Sequence, residues 1–266
     1  MSDNPVLHRL FQGLLISLVS LVLAGCTTVN ETGRKQLNMF SPGEEMQLGF
    51  GEFDKMKKEV PISHDPKANE AVQRVGRRIA AVANLPDAQW EFVVFDSKEA
   101  NAFCLPGGKV GVYTGIFPLC RDDAGLATVL GHEVAHAVAR HGGERMTTAY
   151  GIQAGGQLAG ALLGSSKYAN YGPLFTQVYG VGSQVGVALP HSRLQESEAD
   201  QIGLSYMARA GYDPANAIGF WERFRDYNAK QGGATLWLLR THPTDDQRIS
   251  DLKRLLPQAQ AQFHPQ

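Results

Sequence analysis

The sequence predicts an α+β fold, mostly helical, with a small antiparallel sheet packed on a helix that carries a His-Glu-x-x-His pattern. Three observations predict it: apolar residues at helical spacing behind recognisable caps, two short runs of aromatic and β-branched residues near a Pro-Gly-Gly turn, and no tandem repeat along the 266 residues. Ser41 and Glu44 have capping-box spacing and open a helix through Lys58, and Asp65-Pro66 opens another with Val72, Val75, Ile79 and Val82 on one stripe. The runs WEFVVF (from Trp90) and KVGVYT (from Lys109) read as antiparallel strands, with Pro106, Gly107 and Gly108 as the turn before the second. Asp122 and Asp123 cap and charge the next helix, whose stripe is Leu126, Val129, Leu130, Val134 and Val138 and whose stop or kink falls at Gly142 and Gly143.

That helix carries the chemistry. His132 and His136 are four apart, so at about 100° per residue both imidazoles leave one face and can share an ion. Glu133 flanks the same face, within reach of an attacking water without being a ligand, which is the place of a general base. His141 fails as a third ligand, being about 140° around the helix from His136. The better candidate is Glu196, in the run RLQESEAD from Arg193 to Asp200. Glu196 and Asp200 share a helical face, so one carboxylate can bind metal while the other orients a ligating histidine from its outer nitrogen. Glu198 is about 200° from Glu196 and is expected to point away, into a surface or salt-bridge role. Two imidazoles and one carboxylate around zinc, with a vertex open, form a catalytic set rather than a structural one.

HEVAH, then ESEAD, then Thr241-His242-Pro243 with Arg248 and Ile249 behind it, resemble the zincin-like gluzincin metallopeptidases that include the CAAX prenyl protease, HtpX and the mitochondrial Oma protease, most of all their soluble bacterial lipoprotein members. The resemblance spans roughly Pro61 to Leu256. It implies one Zn2+ held by His132, His136 and Glu196, Asp200 behind them, and His242 near the metal, where it stabilises the intermediate or occupies the open vertex reversibly. Independently, His242 before Pro243 is biased to extended backbone, in a loop ahead of a helix capped near Thr244 or Asp245. The stretch from Asn101 to Gly108 resembles the family's segment before the edge strand of the cleft, which makes Gly107, Gly108, Lys109, Val110 and Gly111 candidates for binding an extended peptide; the bland alternative is a sheet edge blunted by Lys109.

The N-terminus suggests an address. An apolar run from Leu10 to Leu23 is too short to span a bilayer, and Leu23-Ala24-Gly25-Cys26 resembles a bacterial lipobox. The expected organisation is a signal peptide over 1–25, a lipidated Cys26 with a polar tether over 26–40, a helix over 41–60, a peptidase domain over 61–256 and a tail over 257–266. With Thr27 rather than an aspartate next, the expected place is the periplasm, anchored to the outer membrane rather than the inner. A net charge of −1 leaves no nucleic-acid footprint. From Ala149 to Pro190 only Lys167 is charged and Gly156, Gly160 and Gly164 recur at close-packing spacing, so 149–190 is expected to be a tightly packed insert or a lid. Cys104 and Cys120 are left open between a disulfide and free thiols. The expected function is a zinc endopeptidase acting on misfolded or unassembled envelope proteins; the alternative is a chaperone or assembly factor for outer-membrane proteins with a gated or little-used zinc site, and the outer-membrane assembly machinery is a candidate partner.

Overall fold

A computed structural model describes residues 25–151, 192–230, 242 and 246–265. The signal-peptide run, the lid expected within 149–190 and the cap expected near Thr244 or Asp245 therefore lie outside the described residues, save Ala149 to Gly151. In chain order the elements are β1 (Cys26–Thr28), β2 (Lys35–Leu37), α1 (Pro42–Glu59), α2 (Pro66–Val82), β3 (Glu91–Phe95), β4 (Ala102–Leu105), β5 (Lys109–Tyr113), α3 (Phe117–Cys120), α4 (Asp123–Val138), α5 (Arg193–Arg209), α6 (Asn216–Lys230) and α7 (Asp246–Gln260). Among the described residues no helix is long and apolar enough to cross a membrane.

The caps work as their residue types require. Ser41 and Glu44 form the reciprocal capping box of α1, Asp65 accepts from the first amides of α2, and Asp122 accepts from Gly125 N at the start of α4. The last of these helices differs from its expected amphipathic form. Every residue from Gly125 to Ala137 is buried, so α4 is a central helix enclosed on all sides by β4, α2, α5 and α6. Its end also differs: the chain breaks at Arg140, held at φ 55°, and turns helical again from His141, before Gly142 and Gly143.

The three-stranded sheet has the order β3-β5-β4. β4 and β5 are antiparallel, joined through Gly107 and Gly108, both at positive φ where glycine carries no Cβ penalty. β3 and β5 are parallel, with Phe95 opposite Tyr113, which corrects the antiparallel reading of those two runs. The cause is topological: β4 comes between them in sequence and takes the antiparallel place beside β5. Phe53 of α1 meets Phe95, Phe103 and Tyr113 in a cluster of its own on the sheet, with neighbouring ring centroids 5.7 to 6.4 Å apart.

Residues 26–40 are not a tether. β1 and β2 form a hairpin, Val29 is buried in the main core, and the polar side chains that suggested solvent exposure are partnered: Gln36 Nε2 donates to Ala139 O at 2.9 Å, Tyr206 Oη to Glu31 at 3.1 Å, and Asn38 Nδ2 to Glu45 at 2.7 Å. The tail expected from 257 begins inside α7, which runs to Gln260 with Ala259 buried. Cys104 and Cys120 are free thiols; burial pushes the Cys120 thiol up to about 12.

What positions the site is the crossing of α4 and α5 at two glycines. A Cβ on Gly203 would lie 3.0 Å from the His132 backbone nitrogen, and one on Gly131 would lie 3.0 Å from the Gly203 carbonyl. Gly203→Val is expected to wedge the helices apart and cost about 1–3 kcal/mol, read as a lower denaturation midpoint. An unchanged midpoint would show that the crossing has slack.

Candidate metal centre

α4 brings His132 and His136 to the inner face of this crossing, and α5 presents Glu196 opposite them from its first turn. His132 Nε2 and His136 Nε2 are 3.0 Å apart, and Glu196 places Oε2 3.5 Å from the first and Oε1 3.3 Å from the second. His242 joins them, with Nδ1 3.2 Å from His132 Nε2 and 2.8 Å from Glu196 Oε1. One ligand atom from each of the four lies within 4.8 Å of every other, and all four residues are buried.

These separations fit zinc. Ligands at roughly 2.0–2.1 Å from a tetrahedral ion stand about 3.3–3.4 Å from one another, and imidazole with carboxylate is the donor chemistry zinc takes. Glu196 Oε2 is buried and faces Arg248 Nη1 at 2.8 Å and His132 Nε2 at 3.5 Å. Burial would raise the Glu196 carboxyl, but His242, Arg248 and His132 hold it well below the usual carboxylate range. Burial and Arg248 oppose a charge on His132, yet Glu196 and Asp200 hold its pKa up to about 9. The carboxylates call for positive charge at this centre.

Glu133 stands beside the group and not in it, with Oε1 3.5 Å from His242 Nε2. Burial pushes its carboxyl above the ordinary value, in the direction a general base needs. Asp200 Oδ1 lies 3.0 Å from His132 Nδ1, so the outer nitrogen of that histidine donates to a carboxylate, and it is Nε2 that gives up its proton when the ring binds a metal.

Sequence reasoning misses what lies behind these groups. Arg248, fully enclosed, takes both Asp200 oxygens through Nε and Nη2 at 2.8 Å, and its guanidinium stacks 3.6 Å from the centroid of Trp221, which edges onto His132. The available signal is an arginine on the buried face that Ile249 and Leu252 give α7. His141 is no ligand but lies 2.7 Å from His136, nitrogen to nitrogen, because the break at Arg140 turns it back beneath α4 and voids the helical angle. Burial pushes His141 below its ordinary value, which favours the neutral ring. Glu198 does point away from the metal group and takes the expected salt-bridge role, with Arg34 Nε at 2.6 Å, but it is buried rather than on the surface: burial would raise its carboxyl, while hydrogen bonds from His141, Thr32 and Arg34 hold it at about 2.

The peptide-binding assignment to Gly107, Gly108, Lys109, Val110 and Gly111 needs correction. β5 is the central strand, hydrogen-bonded on both sides, and the Gly107 and Gly108 carbonyls accept from Gln89 and Glu91. The edges are β3 and β4; β4 is the one that packs on α4, and the Glu133 charge is near enough to add to the effect of burial in raising the Cys104 thiol. Cys26 is exposed at the start of β1.

Residues 66–256 match the peptidase family M48. The chain belongs to that family. M48 peptidases are zinc metalloproteases, in keeping with the donor set described above. The chain is 41% identical over 189 residues to the mitochondrial metalloendopeptidase OMA1 of Schizosaccharomyces pombe, covering 71% of this chain and 53% of that one. It is 35% identical over 231 residues to the OMA1 of Arabidopsis thaliana, covering 86% and 43%. It is 27% identical over 262 residues to the β-barrel assembly-enhancing protease of Escherichia coli K12, covering 92% and 53%. This M48 chain thus spans about half the length of the curated relatives it matches. The expected periplasmic, outer-membrane address is overturned here: the relatives with the higher identities are named as mitochondrial, and the bacterial one is more distant.

Proposed function

We propose that this chain is a zinc-dependent endopeptidase for extended segments of misfolded or unassembled proteins, with His132, His136 and Glu196 as metal ligands, Glu133 as general base and Asp200 orienting His132. The observation that carries the proposal is the meeting of two imidazoles from α4 and one carboxylate from α5 at donor separations of 3.0 to 3.5 Å, with Glu133 alongside. When bound, zinc polarises the scissile carbonyl and lowers the pKa of the attacking water. Glu133 takes that water's proton and passes it to the leaving amine. Asp200 and Arg248 keep the His132 ring from turning. The outer edge of β4, which no described strand pairs, holds the substrate by backbone hydrogen bonds, so many side chains are tolerated. His242 lies at ligand distance in this conformation, so it must swing out before a carbonyl can enter. Attachment to a membrane through an acyl group on Cys26 completes the proposal; the exposed thiol at the hairpin's open end could carry one without disturbing the core.

The His242 contact also favours a second reading: an assembly factor for β-barrel proteins whose metal site stays shut, in line with the name of the Escherichia coli relative. The test of the first reading is metal content and casein cleavage before and after chelation. One zinc per chain, cleavage abolished by chelator and restored by zinc are expected. A metal-free chain that cuts equally well would end it.

A further inference from the structure

His136 is held from behind by a line of side chains that ends in the N-terminal hairpin. Its Nδ1 lies 2.7 Å from Nδ1 of His141, and His141 Nε2 lies 2.8 Å from Glu198 Oε2. The carboxylate is closed from the other side by the Thr32 hydroxyl on Oε1 and by Arg34 Nε on Oε2 at 2.6 Å. Arg34 is gripped in turn by Glu144, through Nη1 and Nη2 at 2.9 and 3.0 Å. His141 is 0% and Glu198 5% exposed, so water does not compete for these bonds.

The contacts restrict where the protons sit. A carboxylate only accepts, so His141 Nε2 donates to Glu198. A neutral His141 donating from Nε2 offers Nδ1 as an acceptor, and the 2.7 Å contact between the two Nδ1 atoms is then satisfied with the shared proton on His136. That leaves the His136 Nε2 lone pair facing Glu196 and His132, the tautomer a ligand needs. His132 is oriented by one carboxylate from α5, a single step away. His136 is oriented through two groups, and the second is clamped by residues more than a hundred and sixty positions earlier in the chain.

We propose that His141 and Glu198, clamped by Thr32 and Arg34, are positioning residues that set the ligating tautomer and rotamer of His136, so that metal affinity depends on docking of the β1–β2 hairpin. This rests on His136 being a metal ligand. Whatever lifts the hairpin frees Glu198, then His141, then the ligand.

The test measures zinc affinity of the metal-stripped full chain by competition with a chromophoric chelator, together with the imidazole nitrogen and proton resonances of the zinc-loaded protein. His141→Phe and Glu198→Ala are expected to weaken zinc about 10- to 100-fold. His141→Asn, whose amide oxygen keeps an acceptor near Nδ1, recovers most of the loss, and Arg34→Ala weakens zinc several-fold. The wild type shows a hydrogen-bonded His136 Nδ1 proton far downfield; His141→Phe loses it and His141→Asn restores it. Unchanged affinity and an unchanged His136 resonance in His141→Phe overturn the proposal, as does a loss confined to the melting point of the metal-free form. Should His141→Phe not fold, Arg34→Ala decides, and wild-type affinity in it overturns the proposal. His136→Ala separates the two layers: if it binds zinc as tightly as wild type, the ligand assignment itself is wrong.

Discussion

Glu133→Gln is expected to retain one zinc per chain and lose peptide cleavage, by about 10²- to 10⁴-fold, the usual worth of a positioned general base. The substitution keeps the side chain's shape and removes only its capacity to take a proton. Glu133 is no part of the four-residue donor group, so metal content should not move. Its place supports the large effect: Oε1 is 3.5 Å from His242 Nε2, on the side where a substrate carbonyl would replace that ring, and burial already raises the carboxyl. Cleavage of an unfolded protein in saturating zinc, with metal analysis on the same sample, is the measurement. Cleavage at the wild-type rate would remove Glu133 from the mechanism. If the variant lost cleavage but still sustained the protein's task in cells, the assembly-factor reading would take precedence.

Arg248→Met is expected to be the most destabilising exchange near the site. The guanidinium pairs with both oxygens of Asp200, approaches Glu196 at 2.8 Å and covers Trp221, all out of solvent. Methionine fills much of the space and takes the guanidinium away from two buried carboxylates, leaving them only the neighbouring histidines, a loss of about 3–5 kcal/mol. A zinc ion neutralises part of the charge on Glu196, so the loss should be larger in metal-free protein than in zinc-loaded protein. Denaturant titration with and without zinc reads both values. A cost below about 1 kcal/mol in the metal-free form would show that the carboxylates find other partners. Arg248→Lys is expected to fall between, since an ammonium neither grips two oxygens at once nor stacks on indole.

Local chemistry is legible in this chain wherever the residues concerned are neighbours on one helix. The caps at Ser41, Asp65 and Asp122 follow from spacing alone, and so does the shared face of His132 with His136 or of Glu196 with Asp200. That the two faces meet depends on Gly131 and Gly203 packing across seventy-odd residues, which no window of sequence contains. His141 is misplaced by helical arithmetic because one residue, Arg140, adopts positive φ and resets the phase. The hairpin reads as a polar tether because Thr32, Arg34 and Gln36 are polar; their partners Glu198, Glu144 and Ala139 lie a hundred residues or more away. The parallel pairing of β3 with β5 escapes for the same reason, since strand order is decided by what comes between.

The helix that carries HEVAH is sheathed in protein from Gly125 to Ala137. It has no solvent side on which sequence drift is cheap, so mutation there trades fold and chemistry together. Divergence in substrate choice is left to the rim, to the outer strand and to the loops that can change without passing through the middle of the molecule.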